Sequence, residues 1–454
     1  MITAMKKILL EEDYIEKKLK KDMGNINLYE LGTSICDNSL YDEHVIYEKE
    51  KEISIGIGKK LEVIVNPKLI NIRDENEEVS IETDDINQDI KFIFESIDID
   101  EWRAYGIANF SLAYHNYNIE SSKENSKLIE LFIPKVDIRI TEKEILIRTF
   151  YKKDLDNIIE TIENFNKNLN NKNNDSKYIS DTSLKEQNSQ EYKYIVSKAV
   201  EDIQNKKYEK VILSRKITLD KKVNMSKSYI LGRSKNNPAR SYYVKLNGLE
   251  VIGYSPETVA EIDKNKIVHT FPLAGTRAMN DDEDKKDSLR KELLTDPKEI
   301  SEHAVSVKLA YEELENVCED ESVCVTRFMD VLERGTVQHL ASRLRGKIKE
   351  NLNEWHAFNM LFPAVTASGI PKKECIEAIS KLEKESRDLY SGSVMIYDKD
   401  GSLDASLVLR SVYQNQESTW LRAGAGIVKL SHPERELEET REKLSSVSQQ
   451  LLEL

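Results

Sequence analysis

Cysteine is scarce in this chain, four residues in 454. Cys36, Cys318, Cys324 and Cys375 fall into no metal-type pairing, and only five residues separate Cys318 from Cys324 where a helix gives way to a strand. That spacing argues against a zinc site, a catalytic thiol or a disulfide framework and leaves buried reduced thiols, as expected of a cytosolic protein. Long apolar runs are also missing. The first residues offer only Ile8, Leu9 and Leu10 before acidic residues resume, too short for a signal-peptide core. No stretch approaches the roughly 18 apolar residues of a membrane span. Positive charge is in deficit, with 67 Lys and Arg against 81 Asp and Glu and a net charge of -14. Nucleic acid and anionic membrane surfaces are therefore not expected as partners. An anionic ligand would need a local basic pocket strong enough to overcome the field of the whole chain. Neither a solenoid-type repeat nor a βαβ cadence is present, and strands mixed with helices and hairpins point to an α+β fold.

What is there is enough for a sizeable core: 39% hydrophobic residues, in a chain long enough for one large domain or two to three ordinary ones. Residues 1 to 160 read as short strands, Glu52 to Ile57, Leu61 to Val65, Ile90 to Phe94, Leu128 to Ile133, Ile138 to Ile140 and Ile145 to Phe150, with polar turns between. From Asn164 to Gln190 the composition turns to Asn, Lys, Ser and Asp, as in an exposed connection. This divides the chain into an N-terminal half, 1–185, and a C-terminal half, 190–454. In the latter, Tyr192 to Asn205 reads as helix, and Lys210 to Leu219, Val251 to Tyr254, Thr258 to Ile262 and Lys266 to Phe271 as strands. Asp284 to Val317 is helical but divided by Pro297, with Asp296 as N-cap. Trp355 to Leu361 and Pro371 to Lys384 follow as helices, then Ser393 to Tyr397, Asp404 to Tyr413 and Thr419 to Val428 as strands.

The chain is organised around Thr419 to Leu452, where a glycine-rich strand end runs straight into an acidic helix. Ser431 with Glu434 has capping-box spacing, and Pro433 suits a first turn. The apolar stripe is Leu437, Thr440, Leu444, Val447 and Leu451, and beside it runs a line of Glu436, Glu439, Lys443 and Ser446. That line is either a solvated flank with a Glu439–Lys443 pair or one wall of a site. Gly424 and Gly426 either mark a bulge or leave backbone bare for a ligand. The helix after Asp296 repeats the arrangement: Ile300, Ala304, Val307, Tyr311 and Leu314 form the stripe, with Glu299, Glu302 and Ser306 together off it. Two such helices face to face could hold a hard divalent cation through oxygen. Glu299 is equally well explained as a capping-box residue, which leaves Glu302 the sharper candidate.

Nine ordered motifs then carry a specific resemblance: YEKVILSR at Tyr208, GYSPE at Gly253, PLAGTR at Pro272, DPKEISEHAVSV at Asp296, RGTVQHLASRLRG at Arg334, LFPAVTASGIPK at Leu361, RDLYSGSV at Arg387, LDASLVLR at Leu403 and RAGAGIVKLSHPERELEET at Arg422. From Tyr192 to its end the chain resembles the chorismate-utilising enzymes, the family of anthranilate synthase component I, aminodeoxychorismate synthase, isochorismate synthase and salicylate synthase. The strings VQHL, LFPAVTASGIPK and TWLRAGAGI are most similar to the salicylate synthase branch. Thr336, where serine would be as natural, and His432, in an acidic turn, are the small departures. The fold implied is two large, mostly antiparallel packed sheets flanked by helices, with the N-terminal half contributing by analogy.

The resemblance also implies roles. Lys210 matches a general base that activates water against C2 of chorismate, which asks for an amine whose pKa is lowered by burial or nearby cations. Glu257 matches the general acid for the departing C4 hydroxyl, a carboxyl held neutral by its setting. Glu302 and Glu439 match direct Mg²⁺ ligands, with Glu299 and Glu436 acting through water. Arg410, Tyr390, Thr366, Lys443 and the backbone of Gly424 and Gly426 match contacts to the enolpyruvyl side, Gly275 and Thr276 contacts near the ring carboxylate, and His339 a residue near the ring. Ala274 stands where aminodeoxychorismate synthases carry a nucleophilic lysine, and Lys210 where ammonia-using enzymes lack a lysine base. Water is then the expected nucleophile and no amidotransferase subunit is expected. The implied activity is conversion of chorismate to salicylate and pyruvate, for siderophore building, by a monomer. An isochorismate synthase that stops earlier, or a non-catalytic relative that binds chorismate or a partner protein, stays open.

Overall fold

The two longest strands, Glu52–Val65 and Ile129–Ile140, each read in the sequence as two separate runs. They pair along their whole length, with a register shift at Lys59 to Leu61 opposite Pro134. Gly58, at a φ of 64°, supplies the left-handed turn just before the shift, and Pro134 lacks the N–H a regular ladder would need there. The polar Gly58–Lys60 segment broke the alternation of apolar residues, which is why a bent strand looks like two. In the computed structural model, residues 13–20, 26–120, 127–167, 177–179, 186–279, 282–334 and 337–454 are described. Most of the polar connection inferred between the halves, the first twelve residues and Thr336 lie outside them.

The bend sends the two ends of this ribbon into different wings of one network of twenty-one described strands. Toward one side Glu52–Val65 pairs with His44–Lys49, and the order continues through Arg240–Leu246, Leu249–Ser255, Ser411–Gln414, Thr419–Val428 and Lys210–Leu219 to Gly369–Ile370. Toward the other, Ile129–Ile140 pairs with Arg103–Ala108, then Ser393–Asp398, Leu403–Leu407, Thr258–Ile262, Ile267–Thr270 and Val337–Lys347, which Leu273–Ala278 and Cys324–Arg334 also join. These pairings are all antiparallel. In both wings the strands from the first hundred and forty residues thus lie together at the centre, and strands from the last two hundred and fifty continue each wing outward.

An apolar layer fills the space between the wings. Tyr47, Val244 and Tyr413 from the first meet Tyr105, Ile107 and Val394 from the second. Helices cover the outer faces: Leu28–Asp37 and Pro433–Ser448 over the first, Pro297–Val317 and Glu354–Leu361 over the second. None among the described residues is long and apolar enough to cross a membrane. The inner packing leaves no room at Gly106, where a Cβ would stand 2.0 Å from the Glu130 carbonyl oxygen of the neighbouring strand. Gly106→Ala is expected to lower the unfolding free energy by about 2–3 kcal/mol through overpacking. Urea denaturation reads this directly, and an unchanged midpoint would contradict the packing.

Four expectations are corrected. Ile90 to Phe94 is not a strand but part of the helix Ile86–Glu95, whose N-cap Asp85 accepts from Asn87 and Gln88; buried Ile86, Ile90, Ile93 and Phe94 follow the spacing of a helix. Asp404 to Tyr413 is two strands, because the chain leaves the second wing at Leu407 and enters the first at Ser411. Arg410 turns that corner at a φ of 50°. In Pro297–Val317 the buried line is His303, Ser306, Val307, Ala310, Leu314 and Val317, so Ser306 faces inward rather than beside Glu302. The terminal helix begins at Pro433 with His432 as a cap whose side chain makes no capping bond. Ser431 instead accepts from Val428 N–H at 3.0 Å, which closes the turn between strand and helix.

Candidate active site

Lys210 opens the strand Lys210–Leu219, and its backbone is fixed on two sides. Gly369–Ile370 pairs with it as a short strand, and the Cys375 thiol donates to the Lys210 carbonyl at 2.9 Å. Gly369 has to be glycine: at a φ of 135° its missing Cβ would lie 2.2 Å from that same carbonyl oxygen. Held this way, the buried side chain runs past Gly426, where a Cβ would come within 3.1 Å of Lys210 Cε. Its ammonium donates to Glu302 Oε1 at 2.5 Å.

Glu257 follows the strand Leu249–Ser255 and is 6% exposed. Burial raises its carboxyl from an ordinary 4.5 to about 7, against the pull of a nearby Thr366 hydroxyl and the charges of Arg410, Lys210 and Lys443. Those four opposing groups show which elements converge here. Thr366 comes from the turn Val365–Ala367, and its hydroxyl has no other partner among the described residues. Arg410 comes from the corner between the wings, and Lys443 from the terminal helix. Lys443 donates to Glu439 Oε1 and to the Gly424 carbonyl, both at 2.8 Å. Burial works against its ammonium, but Glu439 overcomes that and holds its pKa above the ordinary value. Tyr390 is buried nearby, its hydroxyl pKa raised by burial and drawn back by Arg387 and Lys443.

Carboxylates from two helices close the other side. The Glu439 carboxyl is held below its ordinary value: burial opposes this, and Lys443, Arg435 and Lys210 outweigh it. Buried Glu436 is raised, by desolvation and by the negative charge of Glu439, with Lys298 of the facing helix within electrostatic reach. Lys210 therefore stands between Glu302 and Glu439. Glu299 departs from its capping-box expectation: its side chain accepts from Thr276 N–H at 3.1 Å and from Arg277 at 2.8 Å. Asp296 performs the cap by itself, accepting from Lys298 and Glu299. Gly275, at a φ of 82°, makes the bulge that aims Thr276 N–H at Glu299, and the Thr276 hydroxyl meets His339 Nδ1 at 2.9 Å.

The sequence candidates thus fall into two adjoining groups. Lys210, Glu257, Thr366, Tyr390, Arg410, Lys443, Gly426, Glu302, Glu436 and Glu439 are linked by the contacts and charges just described, while Gly275 and Thr276 on Leu273–Ala278, with His339 of Val337–Lys347 beside Thr276, meet Glu299, about one turn before Glu302 on Pro297–Val317. Gly424 stands apart from the bare-backbone reading, since the Leu213 carbonyl would be 2.7 Å from its Cβ and its own carbonyl is taken by Lys443. Arg277 was passed over. It binds Glu299, Asp296 and Glu292 at once, and its place in the PLAGTR string was the available signal.

A family description of chorismate binding enzymes matches residues 41–449. The chain belongs to that family. The salicylate synthase of Mycolicibacterium paratuberculosis is 45% identical over 261 residues, 58% of this chain and 58% of that protein. Anthranilate synthase component 1 of Acetivibrio thermocellus is 32% identical over 297 residues, 65% and 59% of the two chains. The chain thus spans about three fifths of the length of these relatives. Among solved structures, anthranilate synthase component I from Streptococcus pneumoniae superposes with a TM-score of 0.70 at 21% identity, covering 88% of this chain and 92% of that one. The menaquinone-specific isochorismate synthase of Escherichia coli does so at 0.72 and 18%, covering 99% of each. Both show the α+β fold of the anthranilate synthase component I type.

Chorismate binding enzymes are typically Mg²⁺-dependent, and the carboxylates here suit that ion in kind. Oxygen donors on two helices are what a hard cation takes, and the Glu436 carboxyl, raised first by burial, also feels the negative charge of Glu439. They are nevertheless turned onto Lys210, Lys443 and Arg277, and no three His, Cys, Asp or Glu side chains among the described residues stand grouped as a metal site.

Proposed function

We propose that the protein converts chorismate to salicylate and pyruvate through enzyme-bound isochorismate. The observation that carries this reading is the buried Glu257 carboxyl, held at about 7 and sharing its space with Lys210. Lys210 takes a proton from water as the oxygen attacks C2. To do so the amine gives up its contact with Glu302. Glu257 delivers a proton to the C4 hydroxyl as it leaves, so that water is added at one carbon and lost from another. In the second step the C2 hydrogen passes to the enolpyruvyl methylene as that C–O bond breaks, releasing pyruvate and leaving the aromatic ring of salicylate. Here the protein acts by holding the side chain in reacting geometry, a task for Arg410, Tyr390 and Thr366. Arg410 and Lys443 supply the local positive charge an anion needs in a chain of net charge -14.

Glu302 and Glu439 would hold Mg²⁺ directly, and Glu299 and Glu436 through water. The ion would offset the ring carboxylate and the charge that develops as the hydroxyl departs. Residues 190–454 carry every group named in this reaction, and residues 1–185 serve as framework. With water as nucleophile the enzyme works without an amidotransferase subunit, as a cytoplasmic monomer whose salicylate enters siderophore assembly. The similarity to salicylate synthase supports the product. The test is incubation with chorismate and Mg²⁺, resolving salicylate, isochorismate and pyruvate over time. Salicylate and pyruvate are expected in equal amounts, collapsing on chelation and returning with added Mg²⁺. Isochorismate accumulating without pyruvate would make the protein an isochorismate synthase, and turnover indifferent to chelation would remove the metal.

A further inference from the structure

Behind the proposed substrate contacts lies a buried charge cluster that the reaction does not use. Glu383 closes the helix Lys372–Leu382 and is 3% exposed, between Arg387 at 1% and Arg422 at 3%. Its Oε1 accepts from the Ser214 N–H at 2.7 Å, the Ser214 hydroxyl at 3.0 Å and Arg387 Nη2 at 2.6 Å. Oε2 accepts from Arg422 Nη2 at 2.6 Å and Arg387 Nε at 3.0 Å. Burial opposes ionisation of this carboxyl, and the two guanidiniums outweigh it.

Each arginine has a second grip on the site. Arg387 Nη1 donates to the Ala367 carbonyl at 2.7 Å, next to Thr366, and Nη2 to the Ile212 carbonyl at 2.8 Å, two residues from Lys210. Arg422 Nε donates to Ser214 Oγ at 2.8 Å, and both guanidiniums lie against the Tyr390 ring, 5.8 and 5.6 Å from its centroid. Burying three charges costs desolvation that well-packed apolar side chains would not incur, so stability alone does not call for this arrangement. What it supplies is direction: five charge-assisted bonds with fixed angles joining segments that are distant in sequence.

We propose that Glu383, Arg387 and Arg422 act together as a positioning hub that holds Thr366 and Tyr390 in register with the strand bearing Lys210. The inference rests on the reading of the site as a chorismate enzyme, and its test separates the two. In Glu383→Gln, amide exchange at Ser214 and across residues 364–370 is expected to accelerate at least about tenfold over the rest of the chain. With chorismate and Mg²⁺, kcat is expected to fall about 30-fold and KM to change less than about threefold, since geometry rather than affinity is lost. Arg422→Lys keeps the charge but loses the planar fork, and should show the same pattern to a smaller extent. It also serves if the glutamine variant does not fold. Uniform acceleration of exchange, or local acceleration with kcat unchanged, overturns the hub. If the unmodified protein leaves chorismate untouched, the reaction reading fails, and exchange confined to Ser214 and 364–370 still upholds the coupling of these segments while its absence overturns it.

Discussion

Lys210→Ala is expected to lose chorismate turnover by about 10³-fold, within the range that a positioned proton acceptor contributes, while pyruvate release from supplied isochorismate continues. The lysine backbone is anchored by Gly369–Ile370 and the Cys375 thiol, neither of which involves the side chain. Truncation therefore leaves the strand and the neighbouring Thr366 turn in place. It also frees Glu302 of its 2.5 Å partner. A carboxylate freed of its competing ammonium would bind a cation more tightly, so the variant should need no more Mg²⁺ than the parent for the elimination step. The measurement is product resolution with chorismate and, separately, with isochorismate. Loss of both reactions would give Lys210 a different job, such as holding Glu302 in place. Retention of both would remove it from the mechanism.

The strands around the site were legible because apolar residues recur through them at strand spacing between clear turn residues. Lys210–Leu219, Thr258–Ile262 and Thr419–Val428 have the limits that the sequence pattern gave them. What the pattern could not convey is a strand that changes sheet. The run from Asp404 to Tyr413 has no glycine, proline or longer polar turn to mark a boundary, and both strands are buried; the break at Arg410 comes from the need to cross between wings. Side-chain commitments were hidden for a related reason. Helical spacing put Glu299 three residues after Asp296 and made a capping box the natural reading. Arg277 and the Thr276 N–H, from a distant bulged strand, compete for the same carboxylate and win. Glu383 offered only the Arg387 four residues on as a local signal, for its other partners at Ser214 and Arg422 come from distant segments.

Glu257→Gln separates function from stability in opposite directions. The carboxyl is raised to about 7 by burial, so it carries its proton below that pH and can donate it to a leaving hydroxyl. As pH rises through 7 the proton is lost, and kcat/KM should fall with it. The glutamine variant, similar in size and unable to donate a proton as an acid, is expected to lose about 10³-fold in rate and to lack that pH dependence. The same shift weakens the fold in alkali. In the unfolded chain the group titrates near 4.5, in the folded protein near 7, so the folded state binds the extra proton in between. Its contribution is fully present below pH 4.5 and declines as pH rises to 7, by about 3 kcal/mol in all. Glutamine carries no charge to desolvate, so at pH 8 the variant should be more stable than the parent, by up to about 3 kcal/mol. At pH 4 the two should be nearly equal. Urea denaturation at both pH values reads the difference, and a variant less stable at pH 8 would mean that Glu257 is paired as an anion and is no acid at all.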